Sequence, residues 1–132
     1  MAVTDELFRA ARAAMAKAYA PYSHFPVGAA LRTADGRTYA GANIENASYP
    51  EGWCAETTAL GHYVMDGGGE ITDIAVIAER MDRITPCGGC RQRLAEFSRP
   101  ETRLHLCDAN GVVETVTMGA MLPYGFSGEI LK

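Results

Sequence analysis

Two short motifs constrain this chain more than anything else in it: Cys54-Ala55-Glu56, and Pro86-Cys87-Gly88-Gly89-Cys90, whose first cysteine lies 33 positions after Cys54. Together they offer three thiolates to one metal ion and set a carboxylate two residues from the first of them. A fold that uses them must bring two distant segments to one point. Zinc held by three protein ligands keeps a fourth position for water, whose pKa falls to about 7. A carboxylate nearby can then move protons without ligating the metal. Cys54 and Glu56 are two apart, so they do not share a helix face; both address one metal only if it lies just beyond the start of their helix. Cys87 and Cys90 are three apart and do share a face, at the first turn after Pro86. The spacing predicts two helix N-termini converging on one zinc, where free N–H groups and positive dipole ends favour thiolate over thiol.

Two other readings of the cysteines stay open at this point. Cys107 could complete a structural site with four protein ligands, although it ends a predicted strand far from the other motifs. Cys87 and Cys90 could be a thioredoxin-like redox pair, which would leave Cys54 and Glu56 unexplained. His24 and His62 are not assigned to the metal, because His62 lies eight residues from Cys54, about two helical turns away.

The rest of the chain supplies the frame. Leu7, Phe8, Ala11, Met15, Ala18 and Tyr19 recur at helical spacing, with Thr4 as N-cap and Pro21 as the stop. Segments 27–33 and 37–43 read as strands joined by the turn Ala34-Asp35-Gly36. A second helix opens at Trp53 or Cys54 and ends before Gly67-Gly68-Gly69. A buried strand over 73–79 and a third helix over 87–97 follow. Strands over 102–107 and 112–118 flank Asp108-Ala109-Asn110-Gly111, and a short helix starts near Met118. Tight turns demand antiparallel pairing and helical connections demand parallel crossovers. The expectation is one α/β domain over 1–132, a three-layer α/β/α sandwich around a mixed five-stranded sheet.

Composition excludes several partners. The net charge of −4 argues against a general affinity for nucleic acid. Residues 79–103 carry six arginines against four acids, too balanced for a phosphate-binding stripe. The apolar run 74–78 is far short of the roughly 20 residues that span a bilayer. The opening Thr4-Asp5-Glu6 is unlike a secretory signal, and four cysteines without one favour a reducing, cytoplasmic setting.

Further segments fit one family. Tyr22-Ser23-His24-Phe25-Pro26-Val27-Gly28-Ala29-Ala30 and Gly41-Ala42-Asn43-Ile44-Glu45-Asn46-Ala47-Ser48-Tyr49 look like cytidine deaminase motifs. So do both cysteine motifs, the second continuing as Arg91-Gln92, with Leu122-Pro123 and Phe126 near the end. In this order and spacing the chain resembles the small, three-cysteine members of that family. The resemblance implies one zinc ion per subunit on Cys54, Cys87 and Cys90, with Glu56 as the catalytic proton carrier. It implies hydrolytic deamination of cytidine and 2′-deoxycytidine to uridine and 2′-deoxyuridine, with ammonia released, in pyrimidine salvage. It further implies a homotetramer with active sites shared between subunits.

Substrate contacts are implied for Phe25, Asn43, Glu45, Ala55 and Phe126. Phe25 would stack on the pyrimidine and Phe126 would reach a neighbour's pocket. Asn43 and Glu45 alternate along a predicted strand and so project to one face, where an amide beside a carboxylate suits the hydroxyls of a ribose. A sister enzyme acting on a cytosine-containing antibiotic would share the zinc core, but the Asn43-Ile44-Glu45-Asn46 segment favours a nucleoside. A polynucleotide deaminase would need a basic channel. One departure stands out: family members of this type commonly carry arginine straight after Cys-Ala-Glu, where this chain has Thr57. Three thiolates on Zn²⁺ make bound water less acidic than a neutral ligand set would. The expectation is that Arg91, next to the last ligand, takes on more of the charge compensation.

Overall fold

Apolar runs that alternate with helical periodicity leave a sheet to be covered on both faces. The computed structural model describes residues 3–132, so the first two residues of the expected 1–132 domain lie outside the described residues. The elements run α1 (Val3–Met15), β1 (Val27–Thr33), β2 (Thr38–Ala42), a 3₁₀ turn (Tyr49–Glu51), α2 (Ala55–Met65), β3 (Ile71–Ala78), α3 (Gly88–Phe97), β4 (Arg103–Asp108), β5 (Gly111–Thr117), α4 (Met118–Met121) and a last 3₁₀ turn (Gly128–Leu131). The five strands form one sheet in the order β2-β1-β3-β4-β5. Strands β3 and β4, connected through α3, are parallel; the other three pairs are antiparallel. This is the expected mixed five-stranded sheet between helical layers.

Side-chain alternation along the strands divides the core in two. Ala75 and Ile77 of β3 face α1, packing with Leu7, Phe8, Ala11 and Cys107. Ile74 and Val76 face the opposite way, toward Ala59, Leu60 and Leu94 of α2 and α3. Because both faces of β3 are covered, its sequence reads as a continuous apolar run instead of an alternating one. Each large aliphatic side chain buried here contributes roughly 1.5–3 kcal/mol.

Two glycines set how closely the helices approach. A Cβ at Gly41 would stand 2.5 Å from the Ala59 backbone nitrogen and 2.9 Å from the Ala55 carbonyl oxygen. A Cβ at Gly28 would stand 2.0 Å from the Ala11 carbonyl oxygen. Helix α2 therefore meets β2 backbone to backbone, which fixes where its first turn emerges from the layer.

Helix α1 departs from expectation at both ends. Thr4 lies inside the helix, not at its cap, and the helix ends at Met15 instead of running on to Pro21. The reason is competition for the backbone. The Tyr19 N–H donates to the Asn43 carbonyl, and the Glu45 N–H donates to the Tyr19 carbonyl, at 3.0 and 2.8 Å. Among the described residues, no helix is long and apolar enough to cross a membrane.

Candidate active site

Cys54 and Cys87 are the N-cap residues of α2 and α3, both in extended conformation. Cys90 is the third residue of α3, buried on the inner side. The three sulfurs lie within 4.8 Å of one another, although Cys54 and Cys87 are 33 residues apart. The Cys54 and Cys87 sulfurs are 3.8 Å apart. Tetrahedral Zn–S bonds of about 2.3 Å put two sulfurs about 3.8 Å apart, so the set fits zinc as it stands. The N-terminal side of Cys54 is anchored as well. Ile44 and Trp53 exchange backbone hydrogen bonds, and the Trp53 indole N–H donates to Thr58 Oγ1, which donates in turn to the Ala42 carbonyl.

The thiols are electrostatically unequal. A hydrogen bond from Cys90, assisted by Cys87 and by the charge of Arg93, holds Cys54 at about 6 against the opposing effect of burial. Cys90 moves the other way, pushed up first by that same bond to Cys54 and then by burial. Hydrogen bonding within the cluster thus favours a thiolate on Cys54 at the expense of Cys90, whose proton a metal would displace. Cys107 stands elsewhere, in the α1-side core, with its Sγ toward the His105 carbonyl. Burial pushes its thiol up to about 12. It cannot complete a four-ligand site with the other three. His24 and His62 are both exposed and outside the sulfur cluster.

Glu56 occupies the second position of α2 and is only 3% exposed. Burial pushes its carboxyl up to about 7, and the nearby charge of Cys54 adds to the rise. A carboxyl poised near neutrality can both take and return a proton. Cys54, Glu56, Ala55 and Cys87 line a cavity of about 540 Å³, and Asn43 and Glu45 line it too.

The polar side of this cavity is a hydrogen-bonded network that ties residues 22–27 to Asn43 and Glu45. Strand β2 stops at Ala42, shorter than expected, but Ile44 bridges Tyr19 on one side and Trp53 on the other. Glu45 Oε1 accepts from the Tyr22 and Ser23 N–H groups, at 3.0 and 3.1 Å. The Ser23 hydroxyl donates to Glu45 Oε2 and accepts from the Phe25 N–H. These donors, Ser23 first, hold the Glu45 carboxyl below the usual carboxylate range. Asn43 Nδ2 donates to the Phe25 carbonyl, while its Oδ1 accepts from the Val27 N–H. Between them His24 takes a left-handed conformation at φ 56°, a costly backbone state for a residue with a Cβ. Its carbonyl is held by Arg80 at 3.0 Å.

The remaining expected contacts are placed differently. Phe25 packs against the core on the α2–α3 side. Phe126 is 57% exposed in the C-terminal segment, its carbonyl accepting from Gln92, beside a separate cleft. Within one chain it does not meet the cavity. Arg91 donates to the Pro86 and Met121 carbonyls at 2.8 and 3.1 Å, and the guanidinium near a ligand sulfur belongs to Arg93. The roles of Ser23 and Arg93 were not legible beforehand: one lies 22 residues from its partner, and the other looks like any solvated arginine on a helix.

Comparison with known proteins decides the family. A model of the cytidine and deoxycytidylate deaminase zinc-binding region matches residues 1–105. The chain belongs to this family. A cytidine deaminase of Sporosarcina psychrophila is 42% identical over 128 residues, covering 97% of this chain and 94% of the relative. A cytidine deaminase structure from Burkholderia pseudomallei superposes with TM-score 0.89 at 44% identity, covering 96% of this chain and all of that one. One from Mycobacterium tuberculosis superposes with TM-score 0.85 at 35% identity, covering 96% and 98%. Deaminases of this family are zinc-dependent hydrolases, and zinc is the cofactor that the Cys54, Cys87 and Cys90 set fits.

Proposed function

We propose that this deaminase converts cytidine and 2′-deoxycytidine to uridine and 2′-deoxyuridine with release of ammonia, as a cytoplasmic step of pyrimidine salvage. The observation that carries the reading is a buried carboxyl, Glu56, beside three sulfurs spaced for zinc, at a cavity whose far side is polar. Cys54, Cys87 and Cys90 would hold the metal, which supplies a water acidified to a pKa of about 7 as the nucleophile for C4 of the ring. Glu56 takes the proton released from that water and delivers it to ring N3. It then takes the proton of the hydroxyl now on C4 and delivers it to the exocyclic nitrogen, and the C4–N bond breaks to release ammonia. Water and cytidine are consumed, uridine and ammonia are formed, and Glu56 returns to its starting state.

Hydrogen-bond capacity supports the sugar assignment. A carboxylate has about four lone-pair sites, and Glu45 uses three on Tyr22 and Ser23. Asn43 uses one N–H and one lone pair on the 25–27 backbone, leaving one donor and one acceptor site. A donor and acceptor sites thus remain on two immobilised groups that line one cavity, which suits a hydroxyl pair on a ribose. Ala55 lines the same cavity, at the first turn of α2, where it would meet the pyrimidine. Phe25, partly buried against the core, is proposed to stack on the pyrimidine. Thr57 and Arg91 lie beside the ligands, Arg91 holding the Pro86 carbonyl that precedes Cys87.

Phe126 is proposed to complete the cavity of a neighbouring subunit in a homotetramer. Its exposure and its distance from its own cavity support that reading. The experiment is ultraviolet monitoring of cytidine with purified protein, coupled to ammonia detection, before and after zinc chelation and zinc return. Conversion that is lost and recovered with the metal supports the proposal. Ammonia release that ignores chelation overturns the metal's part, and no release from cytidine overturns the substrate. Light scattering of the full chain and of a truncation before Leu122 tests assembly. A fully active monomer would refute the shared site.

A further inference from the structure

We propose that Arg93 is a positioning residue for the metal site, the cation that compensates the excess negative charge of zinc on three thiolates in this chain. The proposal rests on the reading that Cys54, Cys87 and Cys90 hold zinc. Three thiolates overcompensate a divalent cation by one charge, and in a partly desolvated site that excess weakens binding unless a positive group faces it. Arginine suits the task because its charge survives any accessible pH.

Three independent observations select Arg93. Its Nη1 lies 3.9 Å from Cys90 Sγ, one helical step of three residues along α3, where side chains meet. The position after Cys-Ala-Glu carries no cation, and the Thr57 hydroxyl is buried without a hydrogen-bond partner, so it donates nothing to sulfur. Arg91, next in sequence to Cys90, has its Nε and Nη1 turned to the Pro86 and Met121 carbonyls. The guanidinium also lies over the first turn of α3, where a Cβ at Gly89 would stand 3.4 Å from Arg93 Nη1. Among the described ion pairs, none ties Arg93 to a carboxylate. Its charge acts on the Cys54 sulfur and on the nearby Glu56 carboxyl.

The test measures zinc affinity, by competition with a chromogenic chelator, at mildly acidic and mildly alkaline pH. Wild type is compared with Arg93→Gln, Arg93→Lys and Arg99→Gln. Arg99 lies beyond the far end of α3, 3.4 Å from Glu70, and serves as the control. Arg93→Gln should lose about 10- to 100-fold in affinity, the usual range for a group supporting the ligands. The loss should be larger at the acidic pH, because protons compete better for thiolates that no longer face a cation. Arg93→Lys should keep most of the affinity, and Arg99→Gln all of it. The Arg93 side chain is exposed, so none of these changes hollows the core, and melting of the metal-free proteins should coincide. Wild type that binds no zinc would refute the metal reading itself. Wild type that binds zinc, with Arg93→Gln as tight at both pH values, would overturn the role of Arg93. Equal losses in the Lys and Gln variants would overturn the argument from charge.

Discussion

On the sulfur side of the cavity, position comes from regular structure: two helix starts, a proline before one of them, and a strand glycine that lets α2 lie against the sheet. On the polar side the chain between Tyr22 and Pro26 has no helix or strand to hold it, and side chains do that work. Glu45 gathers two backbone N–H groups and a hydroxyl, Asn43 spans a carbonyl and an N–H, and Arg80 holds His24. The two sides answer different demands. Metal ligation tolerates errors of only a few tenths of an ångström, which rigid helix ends provide. Recognition of a sugar needs free donors and acceptors, and a residue that fixes its own loop keeps only its unused valences for ligand. On the proposed reading the polar side is both binding surface and scaffold, whereas on the sulfur side those tasks fall to different residues.

That contrast can be broken most strongly at Glu56. Glu56→Gln should retain zinc in metal analysis and lose deamination by about 10²–10⁴-fold, the range for a positioned proton carrier. Cys87→Ala should lose the metal as well as the activity. A Glu56→Gln protein stripped of zinc would show that the carboxylate belongs to the ligand set.

On the polar side, Glu45→Ala should do double damage, because the variant would lose the proposed sugar contact and releases Tyr22 and Ser23 together. Cytidine turnover relative to free cytosine should fall by about five- to hundredfold, corresponding to about 1–3 kcal/mol. An unchanged ratio of the two substrates would remove Glu45 from sugar recognition. Ser23→Ala isolates the scaffolding part. Its effect should be smaller, a rise in KM of about three- to tenfold with kcat nearly kept, since about 1 kcal/mol of hydrogen bonding is lost. Ser23→Thr should recover most of it. A fall in kcat at unchanged KM would mean that the loop acts on the chemistry instead.

The smallest expected effect on catalysis lies on the α1 face. There Asp73 accepts from Arg103 and pairs with His105, which reaches Thr115. Burial raises the Asp73 carboxyl, but Arg103, His105 and Thr72 outweigh it and hold the group at about 2. A depressed carboxyl stabilises the fold fully above its ordinary value near 3.8. That contribution is lost as pH falls from there through about 2. Asp73→Asn should flatten acid unfolding in this window and lower the melting temperature near neutrality, with kcat/KM for cytidine unchanged. A change in turnover would mean that the two faces of the sheet are coupled.

The sulfur side was legible in the sequence because metal chemistry permits few residue types and helices permit few spacings. Cys54, Glu56, Cys87 and Cys90 could be placed on two helix starts without any structure. The order of elements followed from the same periodicities. The end of α1 could not be read, since Tyr19 leaves the helical pattern to pair with backbone at Asn43 and Glu45. Local propensity carries no trace of such a partner. Nor does anything in Tyr22-Ser23-His24 announce a left-handed residue between two groups bound to Glu45. Arg93 was hidden for another reason: its partner is a sulfur one turn away, and a polar face on α3 explains the residue equally well.

The contact at Gly41 makes the metal site sensitive to a residue that touches no ligand. With the α2 backbone lying where a Cβ would stand, Gly41→Ala leaves the chain a choice between lifting the helix and bending the strand. If the helix lifts, Cys54 moves with its N-cap while Cys87 and Cys90 stay on α3. A single methyl group would then act as a wedge between ligands contributed by two different helices.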